Sequence, residues 1–131
     1  MERLCRKYQT AKQYVPQPLT YTMDGAKIGI IAVGSTDQAI QEARHLMAKE
    51  GIATDYMRVR AVPFTEEVEQ FVRDHDRIYV VEINRDSQLR QLLLLNMPAD
   101  QATKLRSAAC MDGMPLSARW VKDEILSQEE K

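Results

Sequence analysis

From Lys27 onward, short and nearly continuous apolar runs alternate with stretches of helical period, and this alternation limits the possible folds more than any other feature of the chain. A run such as Ile28–Val33 (IGIIAV) has no polar face to turn toward water, so it needs cover on both sides. A sheet with helices packed on both faces supplies that cover, and the fold class is α/β.

Ile28–Val33 reads as a first strong strand, followed by a helix opened by Gly34–Gln38. Ser35 and Gln38 fit a capping box, and Asp37 suits the positive end of the helix. Ile40, Ala43 and Met47 form the inner stripe of this helix, with Gln41, Glu42, Arg44 and His45 turned to solvent and Gly51 as its stop. Asp55–Val62 reads as a second strand, ended by Pro63, with Thr65 capping a helix that buries Val68, Phe71 and Val72. Ile78–Ile83 reads as a third strand in an interior position, and a helix is expected from about Asp86 to Leu95. After Pro98 come a short helix near Asp100, a strand over Ser107–Met111 and a last helix carrying Trp120, Val121, Ile125 and Leu126. Leu19–Met23 reads as an additional strand before the Asp24–Gly25 turn, which by itself does not say which neighbour it pairs with.

The chain has 131 residues, the size of about one domain, and 44% apolar residues are enough for one core. Eighteen basic and nineteen acidic residues leave a net charge of -1, which argues against a nucleic-acid or anionic-membrane binder. No apolar run is long enough to span a bilayer and no signal-peptide segment opens the chain, so a cytoplasmic location is expected. Residues 1–18 read as a basic linker or tail ending in Val15-Pro16-Gln17-Pro18, residues 19–127 as the domain and residues 128–131 as a C-terminal tail.

Cys5 and Cys110 lie far apart, outside any CxxC pair, and with only His45 and His75 besides they cannot build a four-ligand zinc or iron-sulfur site. Cys110 is expected as a small hydrophobe within the Ser107–Met111 strand. The strand-Val33-Gly34-Ser35-Thr36-helix passage suggests a phosphate site, but Asp37 would repel the anion and no glycine-rich phosphate motif is present. Both histidines are expected at the surface. Asp74-His75-Asp76 resembles a proton relay only on paper, because consecutive residues in a turn point different ways.

Two features call for contacts. Tyr56, Arg58 and Arg60 share one face of their strand, so two guanidinium groups need either water or carboxylate partners. They are solvated near a sheet edge or form an anion clamp at a contact surface. Glu82, Asn84, Arg85 and Gln88 gather at the carboxyl end of the most apolar strand, where open α/β sheets bind ligands and partners. Asp86 or Ser87 in that turn is also a candidate helix cap. Leu89 and Leu92–Leu95 exceed what one core stripe holds, which implies a partner surface.

Four segments in order, Ile28–Asp37 (IGIIAVGSTD), Met57–Phe64 (MRVRAVPF) with Thr65–Val68, Tyr79–Leu89 (YVVEINRDSQL) and Asp112–Trp120 (DGMPLSARW), resemble the C-terminal domain of the alpha subunit of 2-oxoacid:ferredoxin oxidoreductases, most nearly the 2-oxoglutarate type. The resemblance implies a transketolase C-terminal-like fold: a three-layer α/β/α sandwich on a five-stranded, mostly parallel mixed sheet whose antiparallel strand is Leu19–Met23. It implies a parent enzyme that oxidatively decarboxylates a 2-oxo acid to an acyl-coenzyme A and reduces ferredoxin. Thiamine diphosphate, magnesium, an iron-sulfur cluster and coenzyme A would belong to that complex and none to this chain. The implied partners are the beta subunit and the preceding domain of the alpha subunit, with ferredoxin reached through the complex and a homodimer as a further possibility. No catalytic residue of the family has a matching position here, and Met1 is expected as an internal methionine or an artificial start. Ser87 departs from the glycine often found before Gln88 in the family. The expected role is a non-catalytic assembly domain; the alternatives are a freestanding flavodoxin-like small-molecule or nucleotide-binding domain and an oligomeric interaction module.

Overall fold

A computed structural model describes residues 1–130. Its centre is a five-stranded sheet of β1 (Leu19–Tyr21), β2 (Ile28–Val33), β3 (Thr54–Val59), β4 (Arg77–Glu82) and β5 (Leu105–Ala109), in the order β1-β3-β2-β4-β5. β1 runs antiparallel to β3, pairing Leu19 with Arg58 and Tyr21 with Tyr56, and all other pairs are parallel. The expected mixed sheet is therefore present, with the short strand at one edge.

Helices cover both faces. Ile30 and Ala32 of β2, Tyr56 of β3 and Tyr79 and Val81 of β4 pack with α2 (Asp37–Lys49) and α6 (Ala118–Glu129) through Ile40, Met47, Val121 and Ile125. On the opposite face Ile31, Met57, Ile78 and Val80 pack with α3 (Glu66–Asp74) and α4 (Gln88–Asn96) through Val68, Phe71, Val72, Leu89 and Leu93. Alternate residues of each strand thus enter different cores, the period of two that the continuous apolar runs require. Gly29 leaves room on the second face: a Cβ there would lie 2.6 Å from Ile78 Cδ1 and 2.8 Å from Phe71 Cε1.

Several local expectations are corrected. Residues 1–18 include a ten-residue helix, α1 (Glu2–Ala11), because good helix formers (Glu2, Arg3, Leu4, Arg6, Lys7, Gln9 and Ala11) predominate there and neither Gly nor Pro stands before Pro16; none of its residues is buried. The Ser35/Gln38 capping box does not form: Gly34–Thr36 is a tight turn, and no side chain caps α2. Arg44 is buried rather than solvated, because its guanidinium reaches across to donate to Thr54 O at 3.0 and 2.8 Å. β3 stops at Val59, short of Val62, and α4 begins at Gln88 after Ser87 takes a left-handed turn at φ 51°. β5 begins two residues before the expected strand, and half-buried Cys110 falls just beyond it.

His75 is also buried, not exposed. Its ring packs on Phe71, with Nδ1 2.7 Å from Phe71 O and Nε2 3.1 Å from Asp55 Oδ2. Asp55 Oδ1 accepts from Met23 N at 2.7 Å, so Asp55 ties the end of α3 to the segment that follows β1. α5 (Ala99–Ala102) is the short helix expected near Asp100. α6 continues through Glu129, and Gln128 and Glu129 bond the sheet from within the stretch read as a tail. No helix among the described residues is long and apolar enough to cross a membrane.

Candidate functional site

β2 leads through α2 to β3 on one side, and the chain then crosses to β4 on the other, so the connections diverge at the carboxyl ends of β2 and β4. Such a divergence leaves a crevice in an open α/β sheet. Here it is an open cleft of about 510 Å³, bounded by residues 33–36, 59–62 and 82–84 and by Gln88, Leu89 and Leu92.

The turn from β4 to α4 forms the cleft's polar side. Glu82 is 3% exposed, and its carboxylate accepts from Leu89 N at 2.8 Å and Arg90 N at 3.1 Å. Asn84 Oδ1 accepts from Asp86 N at 3.1 Å and Gln88 N at 3.2 Å, and its amide donates to Glu82 Oε1. The opening amides of α4 are thereby satisfied from within the chain, and an anion already sits at the positive end of the helix. Neither Asp86 nor Ser87 is the side-chain cap; Ser87 Oγ instead lies 2.5 Å from Ser107 Oγ.

The second helix that opens on the cleft is occupied in a similar way. Asp37, in the first turn of α2, accepts from Tyr56 OH at 3.0 Å and lies 3.9 Å from Arg58. Burial, then the hydrogen bond to Asp37, pushes the Tyr56 hydroxyl well above its ordinary range. Arg58 also donates to Gly34 O at 3.3 Å, and Arg60 donates to Gln17 O at 3.4 Å.

Of the six contact residues predicted from sequence, Arg60, Glu82, Asn84 and Gln88 meet at the cleft. Arg58 is engaged beside it with Asp37, and Arg85 turns outward to Asp86 at 2.8 Å. Sequence reasoning missed the apolar rim. Val33 (44% exposed), Val62 (50%), Ile83 (41%) and Leu92 (42%) surround the opening, and Leu95 on the same helix as Leu92 is 83% exposed. Only the leucine excess signalled part of this. Val33 and Ile83 read as strand core, whereas the structure puts them at or just past the strand ends, beyond the covering helices.

Among the described residues no group of three or more His, Cys, Asp or Glu is placed to hold a metal. Cys5 is exposed on α1 and Cys110 lies beyond β5, far outside cluster-ligating spacing.

In sequence the chain is 29% identical over 93 residues to the alpha subunit of 2-oxoacid:ferredoxin oxidoreductase 2 from Aeropyrum pernix, a match covering 67% of this chain and 14% of that protein. No family model matches. In structure it resembles a 2-oxoglutarate:ferredoxin oxidoreductase from Magnetococcus marinus (TM-score 0.79, 19% identity, 92% of this chain and 21% of that one). It also resembles the alpha chain of a probable 2-oxoacid ferredoxin oxidoreductase from Thermoplasma acidophilum (TM-score 0.56, 17% identity, 88% of this chain and 98% of that one). A split-gene transketolase solved as an inactive β4 tetramer shares the fold as well (TM-score 0.63, 17% identity, 83% of this chain and 40% of that one). The resemblance to the alpha subunits is borne out by the sequence relation, and the transketolase-like α/β fold by the structural neighbours. The chain spans only a small part of the curated relative it matches.

Proposed function

We propose that this chain is a non-catalytic assembly domain of a 2-oxoacid:ferredoxin oxidoreductase alpha subunit, in a cytoplasmic enzyme that oxidatively decarboxylates 2-oxoglutarate with coenzyme A to an acyl-coenzyme A and carbon dioxide while reducing ferredoxin. The sequence relation to the Aeropyrum pernix subunit supports the parent enzyme, and the overlay on the Magnetococcus marinus enzyme, which was solved with 2-oxoglutarate, coenzyme A and succinyl-CoA, supports the substrate class. On this reading the cleft face meets the preceding domain of the alpha subunit and the beta subunit.

One observation carries the assembly role: the cleft at the carboxyl ends is rimmed by exposed aliphatic side chains, while Glu82 and Asn84 on its polar side are already bonded within the chain. Glu82 has two backbone donors and a buried carboxylate, so it is held as a helix anchor and is not poised as a general base. Thiamine diphosphate needs a diphosphate cradle with magnesium, but the helix ends facing the cleft already carry Glu82 and Asp37. Two separated cysteines do not fit an iron-sulfur cluster. The residues of this chain do not suit those groups, and no reaction step is assigned to it.

The position of the cleft at the topological switch also favours a second reading, a small-molecule or nucleotide site of flavodoxin type. Titration calorimetry of the chain with coenzyme A and with nucleotides separates the two. Under the assembly reading no saturable micromolar binding is seen; such binding would favour the second. Incubation with thiamine diphosphate, magnesium, coenzyme A, 2-oxoglutarate and an electron acceptor should yield no succinyl-coenzyme A. Product formation by the chain alone would refute the assembly role.

A further inference from the structure

An open sheet ends in two edges, here β1 and β5, and the backbone groups along an edge are ready to pair with another strand. At β1 the risk is small, because the strand has three residues and Pro18, which cannot donate, directly precedes it. β5 is different. It runs for five residues, about 17 Å, and among the described residues it pairs with β4 alone.

The register fixes which groups of β5 point away from the sheet. Ile78 pairs with Leu105 and its amide donates to Lys104 O at 3.0 Å, while Cys110 N donates to Glu82 O at 3.0 Å. In a parallel ladder alternate residues address one neighbour, so the backbone groups of Arg106 and Ala108 face β4 and those of Leu105, Ser107 and Ala109 face outward. Two of these outward carbonyls are already occupied, by side chains from opposite layers. Arg90 of α4 donates from Nε to Leu105 O at 2.9 Å, and Gln128 of α6 donates from Nε2 to Ser107 O at 2.8 Å. Both side chains are held in place: Arg90 N is bonded to Glu82 Oε2 at 3.1 Å, and Gln128 Nε2 also donates to Glu124 Oε1 at 2.8 Å. The packing of the two helices does not need these bonds, since it runs through Leu89, Leu93, Val121 and Ile125. An open recess bounded by Arg90, Leu105, Arg106, Ser107, Glu124 and Gln128 leaves room beside the edge.

We propose that Arg90 and Gln128 close the β5 edge to strand addition, and that what they keep off is the same edge of a second copy. An added strand would take its hydrogen bonds from the outward carbonyls of Leu105 and Ser107, and each is blocked by a donor that belongs to the chain itself. The outward amides of Ser107 and Ala109 are left without a strand partner, so they report whether a strand has been added. The inference rests on this edge alone and does not depend on the parent enzyme.

Hydrogen exchange of the Ser107 and Ala109 amides, followed by NMR from micromolar to millimolar chain, tests this. In the wild type their exchange should not change with concentration. In Arg90→Ala with Gln128→Ala it should slow by about tenfold or more as the concentration rises, while the amides of β2 and β4 keep their protection. Adding Ala109→Pro to that variant should abolish the slowing at Ser107, since proline removes an outward donor and no bond to β4. Slowing that already appears in the wild type, a double variant whose two amides exchange independently of concentration, or slowing at Ser107 that survives Ala109→Pro overturns the proposal. So does loss of protection throughout β2 and β4 in the double variant, because the two side chains would then fasten the helices and not cover the edge.

Discussion

Glu82 shows how a residue that looks chemical can be structural. A carboxylate at the end of an apolar strand suggests a general base or a ligand contact, yet here it supplies acceptors to two amides that α4 cannot satisfy internally. Replacing it by Ala removes a charge-assisted cap and leaves those amides facing a buried space. Glu82→Ala should lower stability by about 2–3 kcal/mol, and Glu82→Gln, which keeps one acceptor, by about 1 kcal/mol. Urea denaturation checks this; equal stability of wild type and Glu82→Ala would show that the amides find other partners. The cluster was legible in the sequence because polar residues stand directly after an apolar strand. Its role was not, because a cap seven residues upstream of its amide depends on the left-handed turn at Ser87. That turn costs a non-glycine residue about 1–2 kcal/mol. His75 and Arg44 were misread for a related reason. Charged neighbours and a solvent-facing helix position say nothing of a carbonyl within reach, and Phe71 O and Thr54 O are what draw these side chains inward.

Among the elements, the strands were the most legible, since a period of two between two cores leaves little freedom. Their ends were less so: Val33 and Ile83 continue the apolar pattern past the point where helices cover it. The end of α6 was hidden because polar residues resemble a tail. Yet Glu129 accepts from Arg77 Nε at 2.7 Å and Tyr79 OH at 2.5 Å, joining the helix to the amino end of β4. Burial, then this bond, pushes the Tyr79 hydroxyl up to about 12. For Glu129, burial alone would raise the carboxyl, but the bonds from Arg77 and Tyr79 outweigh it and hold the group below its ordinary 4.5. A carboxyl lowered on folding stabilises the native state above its unfolded pKa, and that contribution disappears as pH falls through the lower folded value. Glu129→Gln should therefore be less stable than wild type by about 1–2 kcal/mol at pH 7. The gap should narrow as pH drops below the ordinary 4.5. Thermal unfolding of both proteins across pH 2–7 would reveal it, and a gap independent of pH would remove the carboxylate from the explanation.

Taken together, the molecule is a closed three-layer body with an open, apolar-rimmed end. The alternation of runs specified the layers, but the antiparallel pairing of β1 came only from the family resemblance, because the Asp24–Gly25 turn does not name a partner strand. Beyond the leucine excess, the rim could not be read without knowing where the helices stop. Its physical meaning is that four exposed aliphatic side chains around one opening lose water on contact with another surface, a gain that Glu82 and Asn84 beneath do not oppose because they are already paired. The affinity of the chain for the remaining subunits of the oxidoreductase proposed above, measured for wild type and for Ile83→Asp with Leu92→Asp, tests this most directly. Binding should weaken by about a hundredfold while the unfolding transition stays in place, and ferredoxin reduction by the assembled enzyme should fall in step. Undiminished binding by the doubly charged variant would contradict the account.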